Sequence, residues 1–323
     1  MSSLEKRLSG GLTFPLYTKA PGLWVVVTYF NPCRYKTRRQ NYDVFALSMK
    51  SAGIPLLTVE CAFGDDEFEL AESLDVVRVR SKSVLWQKER LLNLAASWLP
   101  AECTAIAWVD CDVLFMNKDW AVETMDLLQR NAIVQLFDTC VRLDQGNIDN
   151  DKATRVRSFG AICPCHRELV SCGKFDAHGH TGYAWAMRRE VFQKVGLYEH
   201  AVCGTGDHLM AHAIYNDHGF CVQMPFRNER NQMQHFRDWS DRFYNIVGER
   251  FAAVSGDILH MWHGSLINRQ YYERMHVVTD LGFNPYHDIV AVPGQPLEWH
   301  PDMDNQKLRN YFFEYLKSRR EDG

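Results

Sequence analysis

The sequence predicts an α/β protein with a mostly parallel central sheet flanked by helices. Leu23–Tyr29 and residues 104–109 are short, nearly continuous apolar runs, which is typical of strands buried on both faces. Residues 85–99, before the second run, carry apolar side chains at helical spacing and end at Pro100. The pattern up to residue 115 follows the order β-α-β-β-α-β, which favours parallel strands joined by crossovers.

The remaining elements follow from apolar spacing and from residues that end helices. Further strands are predicted at 54–60, 76–79, 133–137 and 258–264, and a strand entering a helix at 181–198. Further helices are predicted up to Lys50 before Gly53, at 120–129 and 209–215, within 266–288, and from about 305. We predict a polar lead-in (1–20), a single domain (21–265, with halves 21–138 and 139–265) and a C-terminal helical extension (266–323).

Charge and composition argue against several classes of protein. The 323 residues carry a formal net charge of −4, which gives no general attraction to nucleic acids or anionic membranes. No apolar run approaches the roughly 18 residues of a membrane span, and the N-terminal residues lack the apolar stretch of a secretory signal. The ten cysteines are scattered without the framework of a small secreted domain. We therefore expect a reduced, cytoplasmic protein with free thiols.

Two carboxylates, Asp110 and Asp112, directly follow the predicted strand 104–109. Negative charge is costly at the end of a buried strand unless a cation or several hydrogen-bond donors meet it. Ligands of open α/β sheets bind beyond the carboxyl ends of the strands, and carboxylate oxygens suit Mg²⁺ or Mn²⁺. We therefore predict a divalent metal site here. A solvated turn is the alternative, because an isolated Asp-x-Asp is common.

The end of the first strand is the predicted nucleotide-binding region. It contains Thr28, Tyr29 and Asn31, and the basic side chains that follow are Arg34, Lys36, Arg38 and Arg39. In α/β nucleotide folds, such a loop and helix start bind a phosphate or a base. Glu60, at the end of the second strand, is a candidate acceptor for ribose hydroxyls. A solvated helix start and a turn-capping acid are the alternatives.

Two later segments carry candidates for proton transfer and metal binding. Glycines expose Asp207 at a predicted helix start, where its carboxylate could act as a general base, and the adjacent His208 is a second candidate. Helix capping by Asp207 is the alternative. His260 and His263 are three residues apart, and imidazole commonly joins carboxylates on Mn²⁺; a surface His–aromatic–His patch is the alternative.

Residues 144–151 predict a polar, turn-rich loop, and a group of cysteines and histidines follows it. The group consists of Cys163, Cys165, His166, Cys172, His178 and His180. Its spacing matches none of the usual zinc patterns. We favour a loop over the active site and keep zinc as the alternative.

Together these motifs resemble nucleotide-sugar-dependent glycosyltransferases of the GT-A fold, which is Rossmann-like. The likeness is to the β-1,4-galactosyltransferases and, more distantly, to the polypeptide N-acetylgalactosaminyltransferases. Residues 86–93 look like the helix before the acidic motif of the galactosyltransferases, and residues 109–117 resemble their Asp-Val-Asp strand. Residues 182–197 resemble the elements behind their acceptor site. Residues 204–208 lie where they have Gly-Gly-Glu-Asp, and His260 to His263 where they have Met-x-x-His. The likeness covers residues 22–265 in separate blocks.

The resemblance implies a metal-dependent enzyme that moves a sugar from a nucleotide-sugar, with a UDP-sugar favoured, to the hydroxyl of a glycan or other acceptor. Asp112 would bind Mn²⁺ or Mg²⁺, Asp110 would reach the ribose or the metal through water, and His263, with or without His260, would complete the metal site. Asp207 would deprotonate the acceptor hydroxyl. A single base on the acceptor side predicts inversion at the anomeric carbon, although both inverting and retaining enzymes occur among GT-A proteins. His208 replaces the second acid of the family motif, so the base assignment stays open.

Other residues have supporting roles in this hypothesis. The side chains proposed to add positive charge near the diphosphate are Lys88, Arg90 and the basic segment after the first strand. The aromatic candidates for stacking on a sugar or base are Trp185, Trp262 and Tyr183, each of which could instead belong to the core. The absence of a secretory anchor and of a disulfide pattern favours a bacterial or phage relative over a Golgi enzyme.

Three alternative functions remain open from the sequence. A nucleotidyltransferase also places acids after a sheet strand, although residues 29–36 lack the glycine-rich loop that it usually carries. A non-catalytic nucleotide-sugar-binding protein would be expected to lack one of the acids or histidines. A phage-type enzyme that glycosylates DNA bases is disfavoured by the overall charge and favoured by the cluster at residues 34–39. The donor sugar, the acceptor and the oligomeric state do not follow from the sequence.

Overall fold

The computed structural model describes residues 14–146 and 153–323, so the predicted lead-in and the loop at 144–151 lie partly outside the described residues. The strands are Leu23–Tyr29 (β1), Leu56–Phe63 (β2), Val76–Ser81 (β3), Ala105–Val109 (β4), Val113–Phe115 (β5), Ile133–Gln135 (β6), Thr139–Arg142 (β7), Thr154–Arg157 (β8), Ala184–Arg188 (β9), Phe251–Ala253 (β10), Asp257–His260 (β11), Ile289–Val290 (β12) and Glu298–Trp299 (β13). The helices are Lys36–Ala52 (α1), Lys88–Trp98 (α2), Trp120–Leu128 (α3), Phe159–Ile162 (α4), Arg189–Val195 (α5), Gly206–Ala213 (α6), Phe220–Gln223 (α7), Arg230–Val247 (α8), Glu273–Asp280 (α9) and Gln306–Ser318 (α10).

A seven-stranded sheet forms the centre of the molecule, in the order β10-β6-β9-β4-β1-β2-β3. Strand β1 is parallel to both β2 and β4, β2 is parallel to β3, and β10 is parallel to β6. Strand β9 is antiparallel to both β4 and β6. The predicted mostly parallel α/β sheet is therefore confirmed.

The central strands are apolar throughout because both faces of the sheet are covered. Successive side chains of a strand point to opposite faces. Val26 and Trp108 therefore join one buried layer, which contains residues of α2, α5, α6 and α8, while Val25 and Ala107 join the other, which contains residues of α1. This double burial explains the nearly continuous apolar run that the sequence shows in β4.

A smaller sheet lies beside the end of β4, in the order β5-β11-β7-β8. Strand β11 is antiparallel to β5, with His260 opposite Val113, and parallel to β7. The N–H of Met261 donates to the carbonyl of Asp112 at 2.8 Å. This pairing joins two segments almost 150 residues apart in the chain, and it positions β11 directly beside the acidic turn.

Several predicted elements differ from the structure. The predicted strand 258–264 ends at His260, so His263 lies in the following loop. In the predicted helical segment 266–288, a 3-10 turn at Leu266–Arg269 precedes α9. Helix α8, of 18 residues, was not predicted, although Met233, Phe236 and Phe243 are buried at helical spacing.

Two further findings concern thiols and membrane spans. All ten cysteines lie within the described residues and are free thiols, with Cys165 and Cys172 exposed. Among the helices of the described residues, none is long and apolar enough to cross a membrane.

Candidate active site

The turn between β4 and β5 holds the two acidic residues. The N–H of Asp110 donates to the carbonyl of Tyr183 at 2.8 Å, and the N–H of Val113 to the carbonyl of Asp110 at 3.3 Å. Because β5 begins immediately after Asp112, the backbone on both sides of the turn is fixed by strand pairing. The two carboxylates therefore project from the carboxyl end of β4, where ligands of α/β sheets bind.

Strand β11 brings two histidines to Asp112, forming a group that we call the cavity cluster: Asp112, His260 and His263. One ligand atom from each residue lies within 4.8 Å of the others. The Nε2 atom of His263 is 3.1 Å from Oδ2 of Asp112 and 2.9 Å from Nε2 of His260. Oδ1 of Asp112 is buried and has no hydrogen-bond partner among the described residues.

The protonation of the cavity cluster suits a cation. Burial and, to a lesser extent, the nearby charge of Asp110 raise the pKa of Asp112 to about 7. Burial and, to a lesser extent, the positive charge of Arg269 lower the pKa values of both histidines well below the usual range. Neutral imidazoles beside a carboxylate oxygen with an unused lone pair form a donor set that fits a divalent metal ion.

Arg269 restricts how His263 can take part in this site. It donates from Nη2 to the carbonyl of His263 at 2.6 Å, and it also contacts Nδ1 of the same ring. In that arrangement the ring proton lies on Nε2. Ligation through Nε2 requires the other tautomer, whose Nδ1–H faces the carboxylate of Glu321, 4.0 Å away. His260 fits a cation without such a rearrangement.

A lysine joins the acidic turn to a second acid across the cavity. Nζ of Lys88, at the start of α2, is 2.7 Å from both Oδ1 of Asp110 and Oδ2 of Asp207. Burial alone would lower the pKa of Lys88, but these two carboxylates raise it well above its usual range. The pKa of Asp207 is raised, chiefly by burial, against the lowering effect of Lys88.

The start of α6 is shaped to bring Asp207 close to α2. Thr205 adopts a left-handed conformation with φ of 82°, and Gly206 follows it. A Cβ atom on Gly206 would lie 2.1 Å from Oε1 of Glu89, so a larger residue here would require the Glu89 side chain to move. Glu89 is buried among acids, and burial raises its pKa to about 8.

All these groups line one cavity of about 460 Å³, a size that suits a small-molecule ligand. Six basic side chains line it: Arg38, Lys88, Arg142, Arg269, Arg274 and Arg319. The wall between them includes Tyr183, which accepts a hydrogen bond from Arg142 at 3.1 Å and stacks on His180 with ring centroids 4.1 Å apart.

The C-terminal residues contribute to this wall, which the sequence did not indicate. Glu321 is fully buried and accepts hydrogen bonds from Arg38 at 2.6 and 2.9 Å. Arg269 and Arg319 lie 3.4 and 2.9 Å from the same carboxylate. Three guanidinium groups thus share one carboxylate beside the cavity cluster, and we call this group the arginine wall. The surplus of positive charge suits an anionic ligand.

The predicted site residues separate into two groups in the structure. Those that line the cavity are Thr28, Lys88, Asp110, Asp112, Asp207, His208, His260 and His263. Those that do not are Tyr29, Asn31, Arg34 and Glu60, which line a separate small cleft, and Trp185. Tyr29 and Asn31 donate to Glu69 at 2.7 and 3.1 Å.

Three of the predicted residues have local partners that account for their positions. Arg34 lies 3.3 Å from Glu69, and the carboxylate of Glu60 accepts from the N–H groups of Glu69 and Leu70. The ring of Trp185 is fully buried in the core, and its N–H donates to the carbonyl of Thr181 at 2.8 Å.

Comparisons with known proteins give structural matches only. No protein-family model matches the chain, and no curated protein matches it. A Drosophila β1,4-galactosyltransferase 7 variant in complex with manganese, UDP-Gal and xylobiose is similar at 13% identity and a TM-score of 0.31, covering 58% of this chain and 59% of that one. Mannosyl-3-phosphoglycerate synthase from Rubrobacter xylanophilus is similar at 11% identity and a TM-score of 0.39, covering 91% and 86%.

A third similar structure is 4-diphosphocytidyl-2C-methyl-D-erythritol synthase from Anaerococcus prevotii, at 11% identity and a TM-score of 0.33, covering 72% of this chain and 86% of that one. The first two are glycosyltransferases, the class that the sequence motifs resemble. TM-scores this low carry no argument about function, which must come from the site itself.

Proposed function

We propose that the protein is a metal-dependent glycosyltransferase of the GT-A type, which transfers a sugar from a nucleotide-sugar to an acceptor hydroxyl. The observation that carries this proposal is the position of the cavity cluster. Asp112, His260 and His263 lie in the same cavity as Asp110, Lys88 and Asp207. A donor set for a hard cation and a separate buried acid thus face one space.

The donor side of the cavity is suited to a nucleoside diphosphate. When bound, Mn²⁺ or Mg²⁺ held by Asp112 and His260, with His263 in its second tautomer, supplies Lewis-acid stabilisation of the diphosphate. The arginine wall beside it provides three positive charges against the one negative charge of Glu321. Arg38, Arg269 and Arg319 would hold the diphosphate and stabilise the charge that develops as it leaves. A UDP-sugar is the favoured donor by resemblance.

The acceptor side is served by Asp207. Its carboxylate would take the proton of the acceptor hydroxyl as the hydroxyl oxygen bonds to the anomeric carbon. The bond from that carbon to the diphosphate breaks at the same time, and the nucleoside diphosphate leaves with the electron pair. The ammonium group of Lys88, 2.7 Å away, favours the ionised form of Asp207 and so opposes the effect of burial on its pKa. Attack opposite the leaving group gives inversion, and Asp207 is preferred to His208 because burial lowers the pKa of His208 well below its usual range, which makes it a weak base.

The test is calorimetric titration of nucleotide-sugars into the protein with and without Mn²⁺, repeated on Asp112→Asn. We expect one donor to bind in a metal-dependent manner and Asp112→Asn to lose that dependence. Asp126→Asn is the matched control, because Asp126 is an exposed carboxylate of α3 outside the cavity. Binding by Asp112→Asn equal to that of wild type would contradict the metal assignment.

The same titration, combined with assays of product release and sugar transfer, separates the alternative functions. A nucleotidyltransferase would bind a nucleoside triphosphate in preference to any nucleotide-sugar and release pyrophosphate. A non-catalytic binding protein would bind the donor but neither transfer nor hydrolyse it during long incubation. Transfer of sugar to hydroxymethylated DNA and not to glycans would identify the DNA-base enzyme.

A further inference from the structure

A second group of potential metal ligands lies in the interior, apart from the cavity cluster. We call it the interior cluster: His178, His212 and Cys221. One ligand atom from each residue lies within 4.8 Å of the other two, and all three residues are buried. They come from three separate segments: the loop before β9, the end of α6, and the short helix α7.

Both imidazoles of the interior cluster offer an unused nitrogen. The Nε2 atoms of His178 and His212 are buried and have no hydrogen-bond partner among the described residues. The two side chains are 2% and 0% exposed, although His178 also borders the active-site cavity. A buried polar atom without a partner costs about 1–3 kcal/mol. Two such atoms beside one thiol therefore require an explanation.

The opposite nitrogen of each ring is already engaged, and this fixes the tautomer. Nδ1 of His178 donates to the carbonyl of Gly179 at 2.9 Å, and Nδ1 of His212 to the carboxylate of Asp217 at 2.7 Å. In a neutral ring with the proton on Nδ1, the lone pair lies on Nε2. A carbonyl or carboxylate behind a ligating histidine is the usual arrangement around protein-bound zinc.

A carboxylate lies behind one of the two rings. Oδ2 of Asp217 is 2.7 Å from Nδ1 of His212. A carboxylate that accepts a hydrogen bond from a ligating histidine orients the ring and strengthens it as a ligand.

From this geometry we propose that His178, His212 and Cys221 bind a zinc ion, which leaves one tetrahedral position open for a further ligand. Two imidazole nitrogens and one thiolate are the nitrogen and sulfur ligands that zinc prefers, whereas Mg²⁺ prefers oxygen. Ligand atoms around a tetrahedral zinc lie about 3.3–3.6 Å apart, so atoms that already lie within 4.8 Å of one another need to approach by no more than about 1.5 Å. The thiol of Cys221 gives up its proton to solvent as the sulfur–zinc bond forms.

The zinc would stabilise the wall of the active-site cavity. His178 is followed by Gly179, His180 and Thr181, which line that cavity. Gly179 has φ of 79°, and a Cβ atom there would lie 2.7 Å from the carbonyl oxygen of Ser158, so the segment is already closely packed. Zinc at the interior cluster would connect this segment to α6, which carries Asp207 at its other end.

This set differs from the cysteine and histidine group that the sequence suggested. Of that group only His178 belongs to the interior cluster. Cys163 donates to the carbonyl of His178 at 3.5 Å, His166 contacts Glu168, and His180 stacks on Tyr183. The other two ligands come from residues 212 and 221 because the fold packs α6 and α7 against the loop.

Cobalt substitution of the full chain tests this proposal. We expect one equivalent of Co²⁺ to give a tetrahedral visible spectrum and a near-ultraviolet thiolate-to-cobalt charge-transfer band, and Zn²⁺ to displace both. None of the three residues of the cavity cluster offers sulfur, so a charge-transfer band that depends on Cys221 reports the interior cluster. Asp112→Asn should retain the band, which makes this test independent of the proposed transferase activity.

Variants identify the ligands. Cys221→Ser should abolish the charge-transfer band. Cys163→Ser is the matched control, because the buried thiol of Cys163 also lies beside His178 but donates to its backbone carbonyl. Asp217→Asn keeps the shape behind His212 and should weaken zinc binding about 10–100-fold. This variant remains informative even if Cys221→Ser fails to fold.

Three results would overturn the proposal. The first is wild-type protein that binds no cobalt with a charge-transfer band. The second is a band that survives in Cys221→Ser and is lost in Cys163→Ser. The third is zinc affinity in Asp217→Asn equal to that of wild type.

Discussion

The cavity cluster and the interior cluster each contain two histidines, but they differ in the features that decide which cation each can hold. Asp112 gives the cavity cluster an oxygen ligand, and Arg269 contacts one of its rings. The interior cluster has the thiol of Cys221 instead, and its rings are fixed by a carbonyl and by Asp217. The interior cluster is therefore preorganised for an ion. The cavity cluster requires a tautomer change and an anionic ligand for Arg269, as expected of a site that binds metal together with substrate.

Helix α6 connects the two regions, with Asp207 in its first turn and His212 in its last. The largest expected effect is that of Asp207→Asn, which should lower kcat for transfer about 10²–10⁴-fold, since the amide cannot accept the proton. The Kd of the donor should stay close to that of wild type. Steady-state kinetics and calorimetry with the same nucleotide-sugar measure the two quantities.

Asp176→Asn is the control for this prediction, because Asp176 is an exposed acid at the rim of the same cavity. Its kcat should change little. Equal activity of Asp207→Asn and wild type would exclude Asp207 as the base and direct attention to Glu89.

Removing one histidine from each cluster should have opposite effects on transfer and on the cobalt spectrum. His260→Ala should reduce metal-dependent transfer by at least about 100-fold, since even residues supporting a metal ligand contribute 10–100-fold. It should leave the charge-transfer band of the cobalt protein intact. His212→Ala should show the opposite result, losing the band while folded protein retains metal-dependent donor binding. If both variants lose both signals, the clusters are one coupled unit rather than two sites.

Sequence reasoning located the acidic part of the cavity cluster because its information is local, whereas His260 and His263 were assigned to it by their residue type and by the family resemblance. A buried strand followed directly by Asp110 and Asp112 has few explanations, and the sheet then fixes where those side chains point. The same reasoning assigned Arg34 and Glu60 to the nucleotide, but their charges are engaged by Glu69 and by the backbone of the β2–β3 connection. A residue's position near a strand end predicts which edge of the sheet it lies at. It does not predict which groups its side chain contacts there.

The arginine wall and the interior cluster depend on contacts between distant segments. Arg38 and Glu321 are 283 residues apart, and His178 and Cys221 come from elements joined only by tertiary packing. Neither pairing produces a spacing that a sequence motif could show. The one signal was the group of cysteines and histidines at residues 163–180, for which zinc was only the alternative, and a single residue of that group, His178, belongs to the interior cluster.

Zinc removal should affect stability more than binding. If the interior cluster holds zinc at about 1,000 times its Kd, the ion contributes about 4 kcal/mol to the free energy of unfolding. A strong chelator should therefore lower Tm by several degrees, and zinc but not Mn²⁺ should restore it, because Mn²⁺ prefers oxygen ligands. Differential scanning calorimetry measures the shift. Restoration by Mn²⁺ alone would assign the stabilising ion to the cavity cluster instead.

The smallest expected effect concerns Glu89, which lies against Gly206 at the start of α6. Burial raises its pKa to about 8, so the folded protein binds one proton more than the unfolded chain between about pH 5 and 8. Stability should therefore fall as pH rises through that window and level off above it.

Glu89→Gln keeps the shape and removes the titration. We expect the variant to match wild type near pH 5 and to exceed its free energy of unfolding by on the order of 2–4 kcal/mol at pH 9. Urea denaturation at both pH values measures this, with the exposed Glu314→Gln as control. The difference isolates Glu89 because every other titrating group is common to both proteins. Parallel pH profiles for Glu89→Gln and wild type would mean that Glu89 is ionised in the fold, and that Lys88 neutralises three acids rather than two.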